Sequence, residues 1–201
     1  MTLFIDWLRK KHHYDRYKIV KGLIQGKGKR LLDVGCGSPA KCMKEGAFLR
    51  YLGDGQGIDI EPRKIPFPFM LGDIMDDPHK NNSFDVVTAI EVIEHIDNPK
   101  KALKEIHRIL KPKGTFVMTT PNNNVLFTAF WFVWERTFGN EWHHTHLTTY
   151  SKKEWLNMIK STKLFQIKKV IDYWHVNTIV QMEKLQPFSS QEKARENLRI
   201  F

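Results

Sequence analysis

Arg30-Leu31-Leu32-Asp33-Val34-Gly35-Cys36-Gly37-Ser38-Pro39-Ala40 is the stretch on which the reading of the fold turns. Leu31, Leu32 and Val34 are the apolar run of a short buried strand. Gly35 and Gly37 then let the backbone turn sharply and approach a ligand closely. A helix is expected just after the turn, with its free N–H groups and the positive end of its dipole aimed beyond the strand end.

Three more stretches repeat the theme of an apolar run closed by a carboxylate. Gln56-Gly-Ile-Asp59-Ile60-Glu61 reads as a second strand, Phe67-Pro-Phe-Met-Leu-Gly-Asp73 as a third and Phe84-Asp-Val-Val-Thr-Ala-Ile-Glu91 as a fourth. In an open parallel sheet, ligands bind outside the carboxyl ends of the strands, so Asp33, Asp59, Asp73 and Glu91 are expected to converge on one crevice. The spacing Gly35-x-Gly37-x-x-Ala40 also fits the dinucleotide fingerprint, which alone implies an adenosine-type cofactor and nothing narrower.

The chain has 201 residues, 41% of them hydrophobic and 12% aromatic, which suits one compact α/β domain with a sizeable core. Its formal net charge of +10 would attract RNA, anionic lipid or an acidic substrate, although the Lys and Arg are scattered and serve equally as a solvated face. Cys36 and Cys42 fit neither a disulfide framework nor a zinc spacing, which points to a reduced, cytoplasmic protein. The first residues, Met1 to His13, lack the apolar stretch of a signal peptide, and no run reaches the ~20 apolar residues of a membrane span.

Phe4, Ile5, Leu8, Tyr14, Tyr17, Val20, Leu23 and Ile24 recur at helical spacing, so residues 1–27 read as an amphipathic cap of one or two helices over the site or the sheet edge. His12 and His13 are adjacent and point apart on a helix, as a solvated pair rather than a metal site. A first crossover helix is expected over 40–52. Only Glu61-Pro-Arg-Lys-Ile-Pro separates the second strand from the third, too short for a helical crossover, so the second helix is expected to be lost. Asn98-Pro99 starts a helix with Leu103, Ile106, Ile109 and Leu110 buried, and Lys111-Pro-Lys-Gly114 ends it. Thr115 to Thr120 reads as strand five. Ser151 and Glu154 form a capping box for a helix over 152–160. Phe165–Ile171 and Trp174–Met182 read as a hairpin, and 184–201 as a tail, either a short charged helix or mobile.

Together, Leu-Leu-Asp33-Val-Gly35-Cys36-Gly37, Gly-Ile-Asp59-Ile60, Leu-Gly-Asp73 and Phe84-Asp-Val-Val, followed by Leu-Lys-Pro-Lys-Gly-Thr-Phe, resemble a class I S-adenosylmethionine-dependent methyltransferase over residues 28–183. The resemblance implies a Rossmann-like, seven-stranded, mostly parallel sheet with a reversed last strand and helices on both faces. It also implies that Asp33, Gly35, Cys36 and Gly37 face the methionine portion of S-adenosylmethionine, that Asp59 holds the ribose hydroxyls, that Asp73 with Ile74 flanks the adenine amine, and that Ile60 belongs to the same cofactor site. Ser38-Pro39-Ala40, where the family usually has another glycine, and the short link after Asp59 depart from the pattern.

Glu91-Val-Ile-Glu94-His95 places two carboxylates and an imidazole at i, i+3 and i+4. On a helix these share one face, half a shell for a divalent ion. His146, in Trp142-His143-His144-Thr-His146, is the fourth ligand suggested by the similarity of this pattern to two metal-assisted groups, the quinone-biosynthesis O-methyltransferases and the small-RNA 3′-end 2′-O-methyltransferases. Such an ion would bind a diol and lower the pKa of its hydroxyl, and the donor set suits Mn²⁺, Fe²⁺ or Zn²⁺ better than Mg²⁺. In the other reading, Glu91 and Glu94 only orient the methionine amine and the next helix, and His143, His144 or His146 is the general base. Glu91, His95 and His146 are the catalytic candidates under the two readings together.

Val125 to Phe138 is apolar nearly all round but too short to span a bilayer. It falls where relatives insert a substrate-covering segment, here 125–146, so Phe127, Phe130, Trp131 and Trp134, with His143, are candidates to line an acceptor pocket. Burial against the sheet, contact with a second subunit, or peripheral contact with a membrane are the other readings of the same aromatics. The expected activity is methyl transfer from S-adenosylmethionine to a small or lipid-like hydroxyl acceptor. RNA 2′-O-methylation, a nicotinamide dehydrogenase and a non-catalytic S-adenosylmethionine-binding subunit are the alternatives.

Overall fold

The computed structural model of the chain describes residues 2–28, 30–37, 43–122 and 150–186, with side chains from residue 6 onward. In order these form α1 (Thr2–Ile24), β1 (Leu31–Val34), α2 (Ala47–Leu52), β2 (Gln56–Asp59), β3 (Phe69–Leu71), β4 (Phe84–Ile90), α3 (Pro99–Ile109), β5 (Leu110–Pro121), α4 (Lys152–Thr162), β6 (Phe165–Tyr173) and β7 (Asn177–Lys184). Two 3₁₀ turns, Ile74–Asp76 and Ile93–His95, sit between them. The residues from 125 to 149, the Ser38-Pro39-Ala40 departure, Cys42 and the tail beyond 186 lie outside the described residues, and with them Phe127, Phe130, Trp131, Trp134, His143, His144 and His146.

One sheet of seven strands carries the molecule, in the order β3-β2-β1-β4-β5-β7-β6. The neighbours from β3 to β5 pair in parallel, whereas β7 is antiparallel to both β5 and β6. The expected reversed last strand is therefore β7, seated inside the sheet rather than at its edge. No helix intervenes between β2 and β3, as the two prolines there require.

Period-two alternation sorts the strand side chains onto two faces. Leu32, Val34, Val87, Ala89, Phe116, Met118, Val180 and Met182 pack with Leu103, Ile106 and Trp155 of α3 and α4. Val86, Ile90, Val117 and Ile179 pack on the other face with Tyr17, Val20 and Ile24 of α1 and Phe48 of α2. The cap is thus one continuous helix lying on a sheet face. Gln181 fixes its lower end by donating to the Leu23 carbonyl at 2.8 Å. No described helix is long and apolar enough to cross a membrane.

Candidate active site

Because β1, β2, β3 and β4 are parallel neighbours, Asp33, Asp59, Asp73 and Glu91 come to the same edge of the sheet, as the sequence led one to expect. Gly35 leaves β1 at φ 64° and donates to the Ile58 carbonyl at 2.8 Å. A side chain there would strike Val92, with a Cβ only 2.3 Å from its Cγ2. Gly37 donates to Asp59 Oδ2 at 2.9 Å, and its missing Cβ leaves room for the Arg63 guanidinium. Asp59 Oδ1 accepts from the Glu61 N–H at 3.0 Å and from Arg63 at 3.3 Å, so this carboxylate is held in place from three directions. Arg63 also pairs with Glu61 at 2.7 Å.

Asp33 is buried and accepts from the Thr88 hydroxyl at 2.7 Å. Burial pushes its carboxyl up to about 7, the Thr88 hydroxyl opposes this, and the nearby Asp59 charge adds to the rise. Asp73 Oδ1 caps the following turn by accepting from Met75 N–H at 2.8 Å. The Ile74 side chain is only 4% exposed and belongs to the core, so its backbone, not its side chain, is what a ligand could meet, whereas Ile60 is 73% exposed. Cys36 is a free, buried thiol whose sulfur packs against Gly57, and burial raises its pKa to about 12. At the Cys36 position, too, only the backbone is offered to a ligand.

The Glu91-to-His95 stretch is not an α-helix. Glu91 adopts φ 56°, and only Ile93–His95 forms a short 3₁₀ turn. The left-handed residue ends β4 and sends the Glu91 carboxylate back toward β5 and β7. There it accepts from the Thr119 hydroxyl at 2.8 Å and the Asn177 amide at 3.1 Å, with Arg16 of α1 at 3.5 Å. Glu94 is 1% exposed, and burial together with the Glu91 charge raises its carboxyl well above the ordinary range. Nothing among the described residues supports a divalent ion here. One carboxylate already faces a guanidinium, burial disfavours the charged form of the other, and among the described residues no three His, Cys, Asp or Glu groups are placed to hold a metal ion. The helical geometry expected from the i, i+3, i+4 spacing is corrected accordingly, while His146, the fourth ligand of that expectation, lies outside the described residues.

The adjacent histidines also depart from expectation. They point apart, with rings 6.0 Å between centroids and 73° between planes, but neither is simply solvated. His12 Nε2 lies 3.1 Å from Asn177 Oδ1, and its ring sits against Tyr173 and Trp174. His13 Nδ1 is 2.8 Å from Arg16, and burial lowers its pKa to about 3. Arg16 is 2% exposed. The signal for it was present in the sequence, since Arg16 stands four and seven residues before Val20 and Leu23 on the apolar stripe. Nothing local marked Asn177 or Thr119, whose partners come from other elements.

Sheet order, glycine turn and acidic edge define a class I, Rossmann-like methyltransferase. A family model described as a methyltransferase domain matches residues 11–167, and the chain belongs to that family. Among curated relatives, the ubiquinone biosynthesis O-methyltransferase of Coxiella burnetii is 29% identical over 118 residues, covering 54% of this chain and 50% of its own length. The chain therefore spans about half of that relative. Among solved structures, an S-adenosylmethionine-dependent methyltransferase from Aquifex aeolicus superposes with a TM-score of 0.63 at 15% identity, covering 84% of this chain and 88% of its own. The [4+2]-cyclase SpnF gives 0.65 at 18%, with 86% and 81% covered. Likeness at that identity is a likeness of fold, and a fold hosts more than one chemistry.

Proposed function

We propose that the chain transfers the methyl group of S-adenosylmethionine to the oxygen of a small or lipid-like hydroxyl acceptor. The observation that carries this is the acidic crescent of Asp33, Asp59 and Asp73 around the Gly35 and Gly37 turn. When bound, S-adenosylmethionine supplies a methyl group already activated on a positively charged sulfur. Asp59 would accept the two ribose hydroxyls, and the Gly37 N–H keeps its carboxylate turned to do so. Asp33 and the backbone of Gly35 to Gly37 would hold the methionine portion, with an acidic surround that favours a cation. Asp73, the backbone of Ile74 and the exposed Ile60 would flank the adenine. The relationship to ubiquinone biosynthesis O-methyltransferases supports oxygen as the methylated atom, and the aromatic segment 125–138 supports an apolar acceptor.

Calorimetry tests the donor half of this reading. S-adenosylhomocysteine should bind and NAD should not. Asp59→Ala should weaken S-adenosylhomocysteine about 10- to 100-fold, because each hydrogen bond to a charged group is worth ~1.5–3 kcal/mol. Binding of NAD alone would overturn the assignment. Transfer of a labelled methyl group to catechol tests the acceptor half; binding without transfer to any acceptor would leave the non-catalytic subunit.

One feature favours a phosphate-bearing acceptor such as RNA. A cleft of about 450 Å³ between α1 and α2 is lined by Lys10, Lys44 and Arg50 with Tyr14 and Tyr51. Methylation of an RNA 3′ end that falls steeply with salt, with catechol untouched, would move the acceptor to that class.

A further inference from the structure

We propose that His12 of the N-terminal helix is the general base of the methyl transfer, held in its working tautomer by Asn177 and Glu91. The proposal rests on the hydroxyl-acceptor reading above and adds to it the group that removes the proton.

The chain of contacts begins at Glu91, which as a carboxylate can only accept hydrogen bonds. Its Oε2 is met at 3.1 Å by Asn177, so the amide nitrogen of Asn177 must face it. The amide oxygen of Asn177 then faces His12 Nε2 at 3.1 Å. An oxygen there requires Nε2 to carry the proton, which leaves the lone pair of neutral His12 on Nδ1. No contact of Nδ1 with a described residue competes for that lone pair. The result is a base oriented by an amide and, through it, by a carboxylate, the logic of a hydrolytic triad applied to a different reaction.

Place and charge agree with this role. Glu91 follows β4, and Asn177 opens the reversed strand β7 opposite Pro121. Both therefore lie at the carboxyl edge, beyond β1 and the glycine turn on the side away from β2 and β3, where an acceptor would meet the methyl group. His12 is partly exposed, so a substrate can reach it. Tyr173 at the end of β6 and Trp174 of the β6–β7 turn pack on its ring, with centroids at 5.1 and 5.5 Å. The charged groups around it are Arg16 and Asp15 on its own helix and Glu91 across from it, with the neutral His13 beside it. Burial and Arg16 lower its pKa while Glu91, Asn177 and Asp15 oppose them, so the surroundings favour the neutral ring that a base requires. His13 cannot share the role in the same way, because its Nδ1 accepts from the Arg16 guanidinium.

In the reaction the acceptor O–H gives its proton to Nδ1 as the oxygen takes the methyl carbon. The carbon–sulfur bond breaks with its electron pair left on sulfur, which becomes a neutral thioether. His12 ends as an imidazolium and returns its proton to water. Asn177 and Glu91 are positioning residues in this scheme and touch no substrate.

The test uses the full chain, labelled methyl donor and catechol as acceptor, with S-adenosylhomocysteine calorimetry beside it. His12→Gln should lower kcat about 10²- to 10⁴-fold and remove the acid limb of the pH profile. It should leave S-adenosylhomocysteine affinity within about threefold. Asn177→Ala should lower kcat less and displace that limb. Nitrogen-15 NMR of the histidine rings should show His12 as the Nε2–H tautomer in the wild-type chain. A His12→Gln enzyme with unchanged rate and profile, or an Nδ1–H tautomer, would overturn the proposal. If S-adenosylhomocysteine binds but the wild type methylates no hydroxyl, the acceptor reading fails, and the base falls with it.

Discussion

Gly35 shows what one missing side chain secures. Its φ of 64° is costly for any other residue, and the adjacent Val92 fills the space a Cβ would need. Gly35→Ala should therefore destabilise the fold by about 1–3 kcal/mol through backbone strain and overpacking, read as a lower urea midpoint, and weaken S-adenosylhomocysteine binding as well. Gly35, Gly37, Asp33 and Asp59 were legible in the sequence because each sits within a few residues of the strand end that gives it meaning. His12 and Asn177 were not, for a physical reason. His12 and Asn177 are 165 positions apart and Asn177 and Glu91 are 86 apart, so only the folded sheet edge brings them into hydrogen-bond range.

Elements with a local cause were the most legible. Ser151 accepts from the Glu154 backbone while Glu154 returns to the Ser151 N–H at 2.7 Å, and α4 starts where that box predicts. Ser151→Ala should cost about 0.5–2 kcal/mol, measured as a fall in Tm, with methyl transfer retained at temperatures well below the transition. The stretch after β4 failed as a helix for the opposite reason. Spacing of Glu91, Glu94 and His95 suggests one face, yet Glu91 itself is left-handed, which turns the first carboxylate away from the other two. The cap helix lies between these cases. Its apolar stripe announced a helix, but the arginine on that stripe acquires its role only from Glu91, supplied by another element. Burying Arg16 is tolerable because that carboxylate partly offsets its charge.

At the scale of the whole molecule, the parallel strands and the final hairpin were readable one by one from their residues, while the reversal of β7 against β5 came from the resemblance. The acidic edge also sets a pH dependence. Asp33 titrates near 3.8 when exposed and near 7 in the fold, so between those values the folded chain keeps a proton that the unfolded chain has lost. Its contribution to stability is full below about pH 4 and disappears as pH rises through about 7. Asp33→Asn abolishes that loss, so its stability relative to the wild type should rise by a few kcal/mol between pH 4 and pH 8 in urea melts. His13 works in the other direction, as burial lowers its pKa to about 3 and its contribution is lost as the solution becomes acid.

The bare link between β2 and β3 leaves Ile60 and Leu71 open to water, at 73% and 59% exposure. On the methyl-transfer reading, this gives the spent donor a doorway of its own, on the opposite flank from His12. The two products would then depart in either order, neither queuing behind the other, and turnover would be timed on the acceptor's side.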